Sequence, residues 1–195
     1  MNDEAQRILD ELLEGNRRFR EGRGTVHNLS PAEIAKLAVA PEPKAAILAC
    51  SDSRVSPELI FNQPLGMLFS SRVPGNVASD SAKWMLEIAV TNLKVPLVLV
   101  IGHTECLAVR QVVEGATTGS GGALRYAVST AVLRARSKRP DDLMHQSIVE
   151  NALQSMEHLI SESWAVKRAM KTGQTSIAVG VYDVHSGRFD LVSEP

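Results

Sequence analysis

The sequence predicts an α/β protein with a mainly parallel central sheet, flanked by helices and closed at its C-terminal side by an antiparallel edge strand. Three observations carry this. Short continuous apolar runs at Lys44 to Cys50 and Leu97 to Ile101 have the composition of strands buried on both faces. Segments of helical period stand between them. The chain closes with two β-rich runs around His185-Ser186-Gly187, which read as a hairpin.

Taken in order, Ala5, Ile8, Leu9 and Leu12 recur at helical spacing behind Asn2 and Asp3, predicting an amphipathic helix from about Asp3 to Glu21. Gly22 and Gly24 end it. Ser30-Pro31-Ala32-Glu33 joins an N-cap serine, a proline in the first helical position and a glutamate three residues after the cap, so a short helix follows to about Val39. Pro41-Glu42-Pro43 breaks the chain before the first strand. A helical turn starts at Ser56-Pro57-Glu58, and Gly66 to Val73 supplies a second strand. Ala82, Met85, Leu86, Ala89 and Leu93 mark a helix that stops before Pro96, after which Leu97 to Ile101 forms the clearest strand. A short helix runs to about Glu114, and Gly115 to Gly122 reads as a flexible Gly- and Thr-rich loop. Two helices follow, Ala123 to about Lys138 and Asp141 to about Met170, the latter open to an interruption. Ser176 to Val184 and Arg188 to Val192 complete the hairpin. No repeat or linker divides the chain, so residues 1–195 are expected to form one domain, with 1–40 as an N-terminal helical arm and 44–195 as the α/β core.

Composition narrows the function. With 21 Lys+Arg against 22 Asp+Glu, the formal net charge is −1, which removes the electrostatic case for nucleic acid or an anionic membrane surface. The basic groups Arg134, Arg136, Lys138 and Arg139, like Lys167, Arg168 and Lys171, fall at helix C-termini, where they complement the dipole. No apolar run approaches the roughly 18–20 residues of a membrane span. Met1-Asn2-Asp3-Glu4 lacks the basic and apolar regions of a secretory leader, so a cytoplasmic protein is expected. Two cysteines cannot build a disulfide scaffold.

In a parallel sheet, chemistry gathers beyond the carboxyl ends of the strands, near the point where strand order reverses. Cys50 closes the first strand, Gly102-His103 the third, and Cys106 stands three residues on. Cys50, His103 and Cys106 make a Cys₂His set, the three-ligand zinc arrangement that leaves a fourth position for water. Two other readings remain open from these residues alone: buried structural thiols with a structural histidine, and a Cys50–Cys106 disulfide formed on oxidation. Beside them, Asp52 and Arg54 stand two residues apart and can project to one side of an extended turn and pair. Such a carboxylate stays ionised and can accept a hydrogen bond from a metal-activated water; the same pair could instead serve only to stabilise a turn.

Cys50-Ser51-Asp52-Ser53-Arg54 followed by Gly102-His103-Thr104-Glu105-Cys106 resembles the paired C-x-D-x-R and H-x-x-C signatures of the β-class carbonic anhydrases, and the similarity runs from the N-terminal helix to Gly180-Val181-Tyr182-Asp183. The resemblance implies a β-carbonic-anhydrase-like fold and reversible hydration of carbon dioxide to bicarbonate and a proton. It implies Zn²⁺ held by Cys50, His103 and Cys106, with Asp52 and Arg54 as catalytic dyad and Ser53, Phe69, Pro74, Gly102 and Leu107 around the substrate pocket. It also implies a homodimer or a higher assembly of dimers, with the N-terminal helix embracing the partner. Some relatives close the site by binding Asp52's counterpart to zinc; Ile47 stands where that group commonly has Trp, so the open form is expected. With two thiolates on the metal, activity is expected to rise with pH above neutrality.

Several positions depart from the family's pattern. Pro41 stands where a glutamine nine residues before the first cysteine often donates to bicarbonate, and proline has no donor. Leu107 replaces a glycine directly after the second cysteine, and Met67 an acidic residue. Arg72-Val73-Pro74-Gly75-Asn76 differs from the usual R-N-A-G-N or R-V-A-G-N. A more apolar, more crowded pocket admits two alternatives: hydrolysis of carbonyl sulfide or carbon disulfide, and a weakly active or inactive zinc-binding interaction protein. His145, His158 and His185 receive no role.

Overall fold

The computed structural model describes the chain except residues 26, 28, 117–121, 194 and 195. Helix α1 spans Asp3–Arg20; the Asn2 side chain accepts from the Ala5 amide at 2.7 Å, with Asp3 and Glu4 in the first turn and Arg17, Arg18 and Arg20 in the last. Helix α2, Pro31–Leu37, has the predicted capping box: Glu33 accepts from the Ser30 amide at 2.7 Å and Ser30 accepts from the Glu33 amide at 3.3 Å. Strand β1 is Ala45–Ala49, α3 is Pro57–Ile60, β2 is Leu68–Arg72 and α4 is Asp80–Thr91. Then come β3, Leu97–His103, α5, Leu107–Val113, and α6, Gly122–Ser137. The expected loop from Gly115 to Gly122 falls largely on residues 117–121, outside the described residues.

The long C-terminal helix is two: α7, Leu143–Glu162, and α8, Trp164–Lys171. Ser163 between them is extended (φ −105°, ψ 109°), and its hydroxyl accepts from the Val166 amide at 3.2 Å, so one residue ends α7 and caps α8. Strands β4, Ser176–Tyr182, and β5, Phe189–Ser193, form the closing hairpin. The first stops two residues short of the expected Val184 because the Asp183 carboxylate turns the chain, accepting from the His185 and Ser186 amides at 3.2 Å each.

The sheet order is β2-β1-β3-β4-β5; the first four strands are parallel and β5 is antiparallel to β4. Every residue of β1, β3 and β4 is buried, with alternate residues on opposite faces. Ile47, Leu99, Ile101 and Ala178 meet α1 and α3 through Leu9, Leu12, Ile60 and Phe61. Leu48, Val98, Val100 and Val179 meet α4, α7 and α8 through Leu86, Leu159 and Val166. Ala5, Leu9 and Leu12 are fully buried on the chain's own sheet, so the apolar stripe of α1 covers that face. Helix α2 buries no residue.

Candidate functional site

Strand order reverses between β1 and β3: β1 leads to β2 on one side and pairs with β3 on the other, with Ala49 opposite Ile101. Side chains leaving these two strand ends share one crevice. Cys50 directly follows β1, and His103, fully buried, ends β3. Thr104 and Glu105 then turn the chain, Glu105 with φ +58°, and bring Cys106 to the N-cap of α5. The turn is pinned from β4: the Thr104 amide donates to Tyr182 carbonyl at 2.9 Å, and its hydroxyl donates to Asp183 Oδ1 at 2.9 Å while accepting from the Val184 amide at 3.0 Å.

The ligand atoms of Cys50, His103 and Cys106 lie within 4.8 Å of one another, and all three residues are buried. His103 Nδ1 is 2.8 Å from the Thr104 carbonyl, which fixes that nitrogen as the N–H donor. Nε2 is left buried with no hydrogen-bond partner. A buried acceptor without a donor is costly, and a ring held in this tautomer by its other nitrogen is the usual condition of a metal-bound histidine. The thiols agree. The Cys50 thiol is lowered, chiefly by the hydrogen bond from Cys106, while Cys106 is raised by that same hydrogen bond and by its burial. A bound dication favours the thiolate form of both sulfurs. Both cysteines are free thiols, so no disulfide joins them.

Beside this set Arg54 grips Asp52 in a fork: Nε to Oδ1 is 3.0 Å, a terminal nitrogen to Oδ2 is 2.7 Å, and the Arg54 amide also donates to Oδ1 at 2.9 Å. These contacts hold the Asp52 carboxyl well below the usual carboxylate range. Its side chain is 13% exposed against 49% for Arg54. Arg54 also donates to the Glu105 carbonyl at 3.2 Å, and Arg72 Nε to the Cys50 carbonyl at 3.1 Å, tying dyad, turn and metal set together. Asp52 therefore faces its arginine.

A cavity of about 410 Å³ is lined by Cys50, Asp52 and Arg54. Of the expected pocket residues, Ser53, Pro74 and Leu107 line it, and Leu107, 63% exposed, stands at its wall rather than in helix packing. Gly102 and Phe69 do not. Gly102 is buried against α7, where a Cβ would come within 3.3 Å of Ala152 and Ile148. Phe69 lies with Pro41 and Met67 along a separate groove of about 700 Å³ beside β2, which contains no member of the metal set. Gln111 is a cavity residue that sequence reasoning missed. It falls four positions after Leu107, on the same face of α5, and that spacing was its available signal.

A protein-family model described as carbonic anhydrase matches residues 45–189. Carbonic anhydrase 2 of Mycobacterium tuberculosis is 34% identical over 181 residues, covering 91% of this chain and 87% of that protein. The carbonic anhydrase of Mycolicibacterium smegmatis is 32% identical over 190 residues, covering 93% and 90%. Among solved structures, the β-carbonic anhydrase CcaA superposes with a TM-score of 0.72 at 25% identity, over 96% of this chain and 92% of that one. Fold, ligand set and sequence converge, and the chain belongs to the β-class carbonic anhydrase family.

Proposed function

We infer that the protein catalyses the zinc-dependent, reversible hydration of carbon dioxide to bicarbonate and a proton. The observation that carries this reading is the Cys50, His103 and Cys106 cluster, its Nε2 orphaned, beside an Asp52 carboxylate gripped by Arg54 at one cavity. Cys50, His103 and Cys106 would hold zinc, which supplies Lewis-acid activation of a water molecule toward the carbon of carbon dioxide. Asp52, kept ionised by Arg54, accepts a hydrogen bond from that water and so aims its lone pair. The Thr104 carbonyl keeps His103 in the one tautomer that offers Nε2. Pro74 and Leu107 give an apolar wall for a substrate without charge or hydrogen-bond donors.

The natural setting we infer is the cytoplasm, where two free thiols persist in reduced form. No helix among the described residues is long and apolar enough to cross a membrane. We infer too a homodimer or an assembly of dimers: β2 is an uncovered edge strand, with exposed Val39 and Leu65 on the groove beside it. Leu107 at the cavity wall supports a second reading, hydrolysis of carbonyl sulfide or carbon disulfide, which are less polar than bicarbonate. Stopped-flow assays of the zinc-loaded, reduced protein test both. Fast hydration of carbon dioxide upholds the first reading. Absence of hydration with turnover of the sulfur substrates replaces it with the second, and inactivity toward all three leaves a zinc-binding interaction protein.

A further inference from the structure

The turn Pro74–Asn76 places two consecutive residues in the left-handed region, Gly75 at φ +66° and Asn76 at φ +46°. Glycine adopts this freely; asparagine tolerates it better than most residues but at a cost, so the surrounding structure must hold it. Two buried side chains of α7 do so. Asn151 Nδ2 donates to the Gly75 carbonyl at 2.5 Å, and Ser155 Oγ donates to the Asn76 carbonyl at 2.9 Å. They lie one helical turn apart on the same face, and are 1% and 3% exposed. Between them they fix two successive peptide units of the turn. The turn in its turn aims the Gly75 amide at Cys50 Sγ, 3.4 Å away. The space is closed on the other side as well: a Cβ on Gly75 would meet Val128 at 3.3 Å and Ala108 at 3.4 Å.

We propose that Asn151, with Ser155, is a positioning residue for the metal centre, clamping the Pro74–Asn76 turn so that the Gly75 amide donates to the Cys50 sulfur. This rests on the reading of Cys50 as a zinc ligand. A donor on a ligating thiolate draws charge from the sulfur, stabilises the anionic ligand and leaves the metal more electron-poor. Neither α7 side chain reaches the metal set itself, so the effect passes wholly through the turn. Gln154, also buried on α7, donates to the Ala127 carbonyl of α6 at 2.8 Å and does not bond the turn. It supplies a control of matched burial.

The test compares wild type with Asn151→Leu, Ser155→Ala and Gln154→Leu. Each is checked for folding by circular dichroism, titrated with zinc against a chelator, and loaded with cobalt(II) to read the sulfur-to-metal charge-transfer band. Asn151→Leu is expected to weaken zinc binding roughly 10- to 100-fold and shift the band to lower energy, because the sulfur loses its donor. Ser155→Ala moves both in the same direction by less, and carries the test if Asn151→Leu does not fold. Gln154→Leu leaves both unchanged. Unchanged affinity and band in a folded Asn151→Leu, or, where that variant does not fold, in Ser155→Ala, overturns the clamp, as does an equal change in Gln154→Leu. Wild type that takes up neither metal refutes the metal centre, and the clamp with it.

Discussion

At the scale of single residues, the site separates atoms that bind from atoms that aim. In this arrangement Asp52 is oriented by its fork with Arg54, and its carboxylate keeps lone-pair capacity for a further donor. Replacing it by asparagine keeps shape but removes the charge that Arg54 grips and turns one of the two acceptor oxygens into a donor. Zinc content is expected to stay at the wild-type level while carbon dioxide hydration falls roughly 10- to 100-fold; metal analysis and stopped-flow rates on one sample check this, and unchanged rates would remove the dyad from the mechanism. Gly102→Ala tests a different demand. Its added methyl would crowd Ala152 and Ile148, so a loss of about 1–3 kcal/mol is expected in denaturant unfolding, with the cavity wall itself untouched. The metal ligands and the dyad were readable in the sequence because two short motifs end adjacent strands. Gly102 and Phe69 stand away from the cavity beside Cys50, which a motif does not reveal, because the direction of a side chain depends on which helix packs over the strand. Asn151 was invisible for the same reason: its target is a backbone carbonyl 76 positions away.

At the scale of elements, periodicity located nearly every helix and strand, and capping chemistry decided the ends. The division between α7 and α8 was legible only in part. The apolar pattern continues through Ser163, and nothing in composition shows that its hydroxyl turns to cap the second helix. Ser163→Ala is expected to cost about 1 kcal/mol in thermal or denaturant unfolding; no loss would mean that the cap is not what divides the helices. In the basic cluster at the end of α6, Arg134 pairs with Glu157 at 2.6 Å and Lys138 with the buried Glu150 at 2.5 Å, so these two charges fasten α6 to α7, a role beyond the dipole complement that their position suggests. For α1 the amphipathic stripe was plain, but not the sheet it covers. Leu9→Ala should cost about 2–5 kcal/mol, as a core residue does, and a cost near zero would return α1 to the status of a detached arm.

At the scale of the whole molecule, a four-stranded parallel sheet with one antiparallel edge gives rigid strand ends, and the reversal of strand order puts the ligands of β1 and β3 in one crevice. The closing hairpin belongs to the same device. Asp183, lowered to about 2 first by the Ser186 hydroxyl and then by the His185 amide and Thr104, braces the turn that carries His103 toward Cys106. A carboxylate whose folded pKa lies below its ordinary value near 3.8 stabilises the fold fully above that value. That contribution is lost as pH falls from about 4 toward 2, and Asp183→Asn should flatten this part of the stability profile; an unaltered acid limb would show that the brace adds nothing. The central claim is that one zinc on Cys50, His103 and Cys106 makes the protein a carbonic anhydrase. Its most direct test is to titrate the reduced, metal-free protein with zinc while following carbon dioxide hydration by stopped flow. The rate should rise linearly to one zinc per chain and then level off. Full activity without zinc, or no activity with one zinc bound, would contradict it.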